Sequence, residues 1–263
     1  MNKIKAIYSY LVTSYWKKRY KKSIDITMPN FSQLYQSSDI IVNDNSTELE
    51  VNINQLSSFI IKDLLPLVGV SPFPITELLL MTSAIVKLRP DFVFEWGTHL
   101  GISARIFYEI SKKYDINTIV NSVDLLDDVE HIEHPGDKRG IKVKGLKNVI
   151  LHQGDGLNTS IDIANKLNGE NKLLFFLDGD HSFESVSREL NGIHNAFPKS
   201  YKLIHDTFYQ SSNSGYNIGP YKAIKEFLEK NQNQYKKITT NLGLPGMTLL
   251  YPSTVKSTRS ILN

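Results

Sequence analysis

Between residues 91 and 206 the sequence repeats one pattern: a short apolar run that ends on an acid, then a segment with helical spacing. The runs are DFVFEW (91–96), NTIVNSVDL (117–125), KNVILHQGD (147–155), KLLFFLDGD (172–180) and YKLIHD (201–206). Glu95, Asp124, Asp155, Asp178 and Asp206 fall at their carboxyl ends. Between and after them come SARIFYEISKKY (103–114), TSIDIANKLNG (159–169), SFESVSRELNGIHNAF (182–197) and GPYKAIKEFLEKN (219–231), with Ser182 placed to cap the third. Strands alternating with helices specify a parallel sheet covered on both faces. After the last helix, YKKITT and GMTLLYP are joined only by NLGLPG. That link is too short for a crossover, so one of the two strands runs antiparallel. The expected fold is α/β: a doubly wound, Rossmann-like sheet of seven strands, mostly parallel, with a C-terminal antiparallel hairpin and an N-terminal helical extension.

Upstream, QLSSFIIKDLLPLVGV (55–70) has helical periodicity, and SPFPITELLLMTSAIVKLRP offers a helix opened by proline and closed before Pro90. Residues 23–54 are polar and rich in Ser and Asn and read as a linker or loose cap. Residues 1–22 carry seven basic side chains and no acid, leaving the rest with 23 basic residues against 27 acids. A basic arm on a slightly acidic body is not the footprint of a nucleic-acid-binding core. The arm is too interrupted by Lys5, Ser9 and Ser14 to span a bilayer and lacks the h-region of a signal peptide. Two readings stay open for it: an interfacial helix drawn to anionic lipid, giving peripheral membrane contact, or an amphipathic helix packed on the body or on a second subunit. The packing reading is the better of the two. The chain has no cysteine, which excludes disulfides, thiolate metal sites and a Cys nucleophile and accords with a reducing cytoplasm. The division expected is a basic arm and cap over 1–60, a ligand-binding domain over 61–255 and a tail over 256–263, in a homo-oligomer.

In open α/β sheets, ligands sit beyond the carboxyl ends of the strands. The turn EWGTHLGIS joins the first strand to its helix with Gly97 and Gly101 four apart, short of the G-x-G-x-x-G dinucleotide fingerprint. Glu95 would repel a pyrophosphate, which makes an NAD-dependent oxidoreductase the weakest reading. A ligand with a cationic or zwitterionic end tolerates that acid, which points to S-adenosylmethionine. Asp124, 23 residues beyond Gly101, lies near the interval at which an acid accepts ribose hydroxyls. Asp155, in QGDG, is placed to line the adenine side. Thr98, Ser103 and Gly156 complete the expected donor site.

The chain from about Pro72 to Tyr251 resembles a class I S-adenosylmethionine-dependent methyltransferase. The likeness is carried by RPDFVFEWGTHLGISARIF, LDGDHSFESVSREL, LIHDTF and GPYKAIKEFL. Within that superfamily it is similar to the cephalosporin hydroxylase group and the related macrolide and aminocoumarin sugar O-methyltransferases. Residues 1–60 lie outside the likeness. The resemblance implies a divalent metal beside the methyl donor, with magnesium the first expectation and manganese or iron as alternatives. Asp178 and Asp206 match its metal carboxylates. His205 falls where relatives often carry Glu or Asp, which leaves two readings of it: a third ligand that softens the site towards transition metals, or a side chain turned into the sheet.

Two carboxylates at neighbouring strand ends also repel one another unless a cation or proton sits between them, so the residues themselves ask for a positive partner there. Asp180, by contrast, reads as a cap of the following helix. Methyl transfer to an alcohol needs a base, and His181 beside these acids is the leading candidate. Its alternative is a histidine that hydrogen-bonds at a helix start. The loop LLDDVEHIEHPGDKRG (125–140) reads as a solvated mobile lid rather than a second metal site. TFYQSSNSGYNIG (207–219) offers rings and polar side chains for an acceptor. The function expected is metal-dependent O-methylation of a sugar or related small molecule, in surface-polysaccharide or natural-product biosynthesis. An amine acceptor and a non-catalytic donor-binding partner are the alternatives.

Overall fold

A computed structural model describes Leu11, Ser14, Tyr15, Leu49 and residues 51–131, 134–167, 169–210, 215–240 and 242–253. The basic arm, the Ser/Asn-rich segment and the tail fall almost wholly outside these residues, and so do the lipid, packing and oligomer readings attached to them. The described body opens with α1 (Ile53–Phe59), runs on through a π-helical turn (Ile60–Leu64) into α2 (Leu65–Val68), and continues with α3 (Ile75–Leu88). Leu56, Phe59, Ile60 and Leu64 are all buried in this run. A division at residue 60 would therefore cut a continuous helical segment, and the body begins by Asn52, whose side chain caps α1.

Five parallel strands follow: β1 (Phe92–Trp96), β2 (Ile119–Asp124), β3 (Val149–Gln153), β4 (Leu173–Leu177) and β5 (Tyr201–His205). They are linked through α4 (Ile102–Lys113), α5 (Gly156–Ala164) and α6 (Phe183–Ala196). Then come α7 (Gly219–Lys230), β6 (Tyr235–Thr239) and β7 (Met247–Pro252). The sheet order is β3-β2-β1-β4-β5-β7-β6. β7 inserts antiparallel between β5 and β6, as the short NLGLPG link requires. The order reverses between β1 and β4, which puts a ligand crevice over their carboxyl ends.

The inner strands β1, β4, β5 and β7 are buried on both sides, so alternate residues feed two separate cores. Val93, Leu174, Phe176, Leu203 and Leu249 join the core under α3 and α4. Phe94, Trp96, Phe175, Ile204 and Leu250 join the one under α5, α6 and α7. Burying a side chain of this size contributes about 1.5–3 kcal/mol. That is why LLFFL carries no polar alternation: it is buried at every position. No helix among the described residues is long and apolar enough to cross a membrane.

Lys202 on β5 breaks the apolar pattern and is fully buried. Its Nζ donates to Tyr235 Oη at 3.0 Å and sits 4.4 Å from the centre of that ring. Burial lowers its pKa to about 7. The unfolded chain holds this proton up to about pH 10.4, so it binds more protons than the folded protein between those values, and stability rises with pH across that window. The melting temperature of the wild type is expected to gain on that of Lys202→Met as pH is raised from 7 to 10. Parallel melting curves at every pH would contradict this.

Candidate active site

The carboxyl edge of the sheet gathers most of the residues singled out by sequence. Glu95, the next-to-last residue of β1, is fully buried beneath the loop that follows. Ser122 Oγ donates to its Oε1, and Thr98 Oγ1 lies 2.5 Å from Ser122 Oγ. Burial raises the Glu95 pKa to about 7 against the hydroxyls of Ser103 and Ser122, which lower it. Its second oxygen, Oε2, is buried with no hydrogen-bond partner. A buried carboxylate oxygen left in this way has a place for a cationic donor, and the ammonium of an S-adenosylmethionine amino acid end fits that chemistry.

Gly97 (φ 91°) and Gly101 (φ 83°) both occupy backbone that favours glycine. A Cβ on Gly97 would run into the Asp178 carbonyl, and one on Gly101 would press on Val143 and Gly140. Close packing of chain on chain thus requires these glycines. Asp124 accepts the His99 amide at 2.9 Å on Oδ2 and its neighbour's Leu125 amide at 2.8 Å on Oδ1. It stands at the end of β2, with both oxygens engaged by backbone amides. Arg139 Nε lies 3.5 Å from Asp124 Oδ2, while its other nitrogens reach Asp127 Oδ1 at 2.5 Å and the Leu125 carbonyl at 2.7 Å. In the 125–140 segment, expected as a mobile lid, Arg139 thus ties Leu125 and Asp127 to Asp124.

Two residues expected in the donor site also have structural tasks. Asp155 caps α5 by accepting the Asn158 amide at 2.8 Å and pairs with Arg188 at 2.7 Å, both through Oδ1. Gly156 abuts the Trp96 ring, where a Cβ would clash. Gly179 closes on the same ring, and Trp96 Nε1 donates to Glu189 Oε1 at 2.9 Å. Burial raises the Glu189 pKa to about 8. Nothing in the spacing of Glu189 on α6 marks it as the partner of a strand-end tryptophan.

Beyond β4 and β5 lies a second cluster. His205 Nδ1 is 2.8 Å from Asp178 Oδ1, and His205 Nε2 is 3.0 Å from Glu77 Oε2 on α3. Glu77 Oε1 accepts the Gly246 amide at 2.7 Å. Burial opposes a charge on His205, yet Asp178, Glu77 and Asp206 together outweigh it and push its pKa up to about 10. Asp206 has a left-handed backbone (φ 55°), uncommon outside glycine though better tolerated by Asp than by most residues. It faces His181 Nε2 at 3.2 Å through Oδ2 and accepts the Tyr216 hydroxyl at 2.7 Å on Oδ1. Asn217 Nδ2 donates to the His181 carbonyl at 2.6 Å. Asp180 binds the Ser182 amide and hydroxyl at the start of α6, the capping role its position indicated.

The metal expectation does not fit these donors. Both nitrogens of His205 face carboxylates, so it has no lone pair for an ion, and among the described residues no group of three or more His, Cys, Asp or Glu side chains is arranged to hold one. Glu77, Tyr216 and Asn217 were not singled out by sequence. Glu77 sits on a helix whose apolar periodicity hides it, and the other two lie in a loop read only for its composition.

With this geometry in place, the comparisons decide the family. The family described as rhamnosyl O-methyltransferase/CmcI matches residues 72–244, well over half of the chain. The chain belongs to that family. It is accordingly an S-adenosylmethionine-dependent methyltransferase of an O-methyltransferase group. No curated protein matches it. Two solved structures share its fold. The SAH-bound methyltransferase PaMTH1 of Podospora anserina is 14% identical, with a TM-score of 0.50, over 88% of this chain and 95% of its own. The O-methyltransferase of Bacillus cereus in complex with SAH is 14% identical, with a TM-score of 0.50, over 84% and 96%.

If Glu95 Oε2 receives the donor's ammonium, Glu95→Gln weakens S-adenosylhomocysteine binding roughly 10- to 100-fold, the effect of losing a charge-assisted hydrogen bond. Because the Glu95 pKa is raised to about 7, wild-type affinity rises as pH passes upward through that value and the carboxylate form takes over. Titration calorimetry of both proteins at pH 6 and pH 8 checks this. Equal affinity in the two proteins would remove Glu95 from the donor site.

Proposed function

We propose that the protein methylates a hydroxyl of a sugar or related hydroxylated small molecule, with His181 as the general base. The observation that carries the reading is the His181–Asp206 pair beyond the carboxyl ends of β4 and β5: Nε2 faces a carboxylate at 3.2 Å, and the ring is 30% exposed. Asp206 orients the imidazole, and Tyr216 and Asn217 steady the two residues from the 207–219 loop. Nδ1 is then the atom left to take a proton. S-adenosylmethionine supplies a methyl group made electrophilic by its sulfonium. The acceptor oxygen gains that methyl as the carbon–sulfur bond breaks, and the hydroxyl proton passes to His181, so atoms and charge balance without a further reactant.

A sugar acceptor is supported by the family's description; a cavity of about 830 Å³ between α7 and β6 starts at Thr207, and neither His181 nor Asp206 lines it. Tyr209 and Tyr221 stand 4.8 Å apart at its wall, with Gln232, Lys237 and Thr239 among its polar lining. Exposed rings beside hydrogen-bonding side chains suit a polyhydroxylated ring.

His181→Ala is expected to lower kcat by about 10²–10⁴-fold while leaving S-adenosylhomocysteine affinity unchanged. Turnover is read as S-adenosylhomocysteine released from S-adenosylmethionine over a panel of free sugars, glycosides and sugar nucleotides, with amino sugars as a contrast. Transfer to amines alone, or full activity in the alanine variant, would overturn the reading.

A further inference from the structure

Asp178 and Asp206 present two carboxylates at adjacent strand ends, an arrangement that needs positive charge or hydrogen-bond donors between them. The structure fills that place from within the chain. His205 Nδ1 lies 2.8 Å from Asp178 Oδ1 and 3.9 Å from Asp206 Oδ2. On its far side, Nε2 meets Glu77 Oε2 at 3.0 Å. Glu77 is itself fixed, because its other oxygen accepts the Gly246 amide at 2.7 Å and its side chain is buried. Phe73 covers the histidine ring, with centroids 4.9 Å apart. Turning His205 to free a nitrogen would strand a buried glutamate oxygen, a cost of roughly 1–3 kcal/mol or more for a charged group. The remaining carboxylate is engaged as well: Asp206 Oδ1 accepts from Tyr216, and Oδ2 faces His181.

A magnesium ion asks for about six oxygen ligands in near-octahedral geometry. The position between Asp178 and Asp206 offers instead an imidazole committed at both ends. We propose that the His205 ring, locked by Glu77, stands in the place of a divalent metal, and that methyl transfer uses the chain's own His181–Asp206 pair with no bound metal. Glu77 and His205 are then positioning residues: they hold the two carboxylates at their spacing without touching the acceptor. The inference rests on the methyltransferase reading above and departs from the metal that the resemblance implies.

The test uses the full chain saturated with S-adenosylhomocysteine, with Mn²⁺ as the probe, read by electron paramagnetic resonance and by calorimetry. The wild type is expected to bind S-adenosylhomocysteine but no Mn²⁺ up to millimolar concentration. His205→Glu exchanges the imidazole for oxygen donors and is expected to bind Mn²⁺ at least about tenfold more tightly than the wild type. Micromolar Mn²⁺ binding by the wild type overturns the inference and leaves the methyltransferase reading standing. A folded His205→Glu that gains no Mn²⁺ binding overturns the assignment of His205 as the group in the metal's place. Should that variant not fold, the wild-type titration alone decides. Failure of S-adenosylhomocysteine to bind would tell against the methyltransferase reading, and so against the inference built on it.

Discussion

One buried imidazole ties together four parts of the molecule. His205, at the end of β5, is held between Asp178, just beyond β4, and Glu77 on α3, and Glu77 in turn holds the amide of Gly246, the last residue of the link into β7. Three carboxylates brought this close would repel one another and, being largely out of water, could not be screened. A shared proton-bearing ring turns that repulsion into a set of hydrogen bonds. The same contact fixes the height of α3 against the sheet and the start of the antiparallel β7 strand. Asp206 is thereby set beside His181, so the chemistry of the edge depends on a group that sits behind it.

The donor side relies on packing rather than charge pairing. Trp96, the last residue of β1, is wedged between Gly156 and Gly179 and tethered to Glu189. This wedge brings the starts of α5 and α6 close over the strand ends, which is why glycine is needed at two points outside the β1–α4 turn. On the opposite face Glu95 is sunk among hydroxyls, with one oxygen unpaired. Arg139 then joins Asp124 to the Leu125 carbonyl. The result is a crevice whose walls come from separate loops but whose floor is the rigid sheet.

Much of the fold was legible because its signals are local. A run such as LLFFL can only be a strand covered on both faces, and a short link such as NLGLPG can only join antiparallel neighbours. Ser182 and Asp180 declared a helix start by their spacing, and both cap α6. Asp155 and Gly156 carry structural tasks that the sequence did not announce. A residue just past a strand end is also the first of a helix, and there Asp155 makes the capping bond and Gly156 packs on the Trp96 ring. His205 was left undecided between metal and sheet, since its neighbours in sequence are silent about Glu77, 128 residues away.

By itself the sequence determined the doubly wound sheet, the single antiparallel strand near its end and the row of acids along its carboxyl edge. These follow from side-chain periodicity and loop length, which act between near neighbours. Through the acid at Glu95 it also pointed towards a donor with a cationic end and away from a pyrophosphate. Only the tertiary structure decided which acids remain available to a ligand and which are consumed in caps, ion pairs and the His205 bridge. Hydrogen-bonding capacity is finite, and how each oxygen uses it depends on what distant segments place within about 3 Å of it.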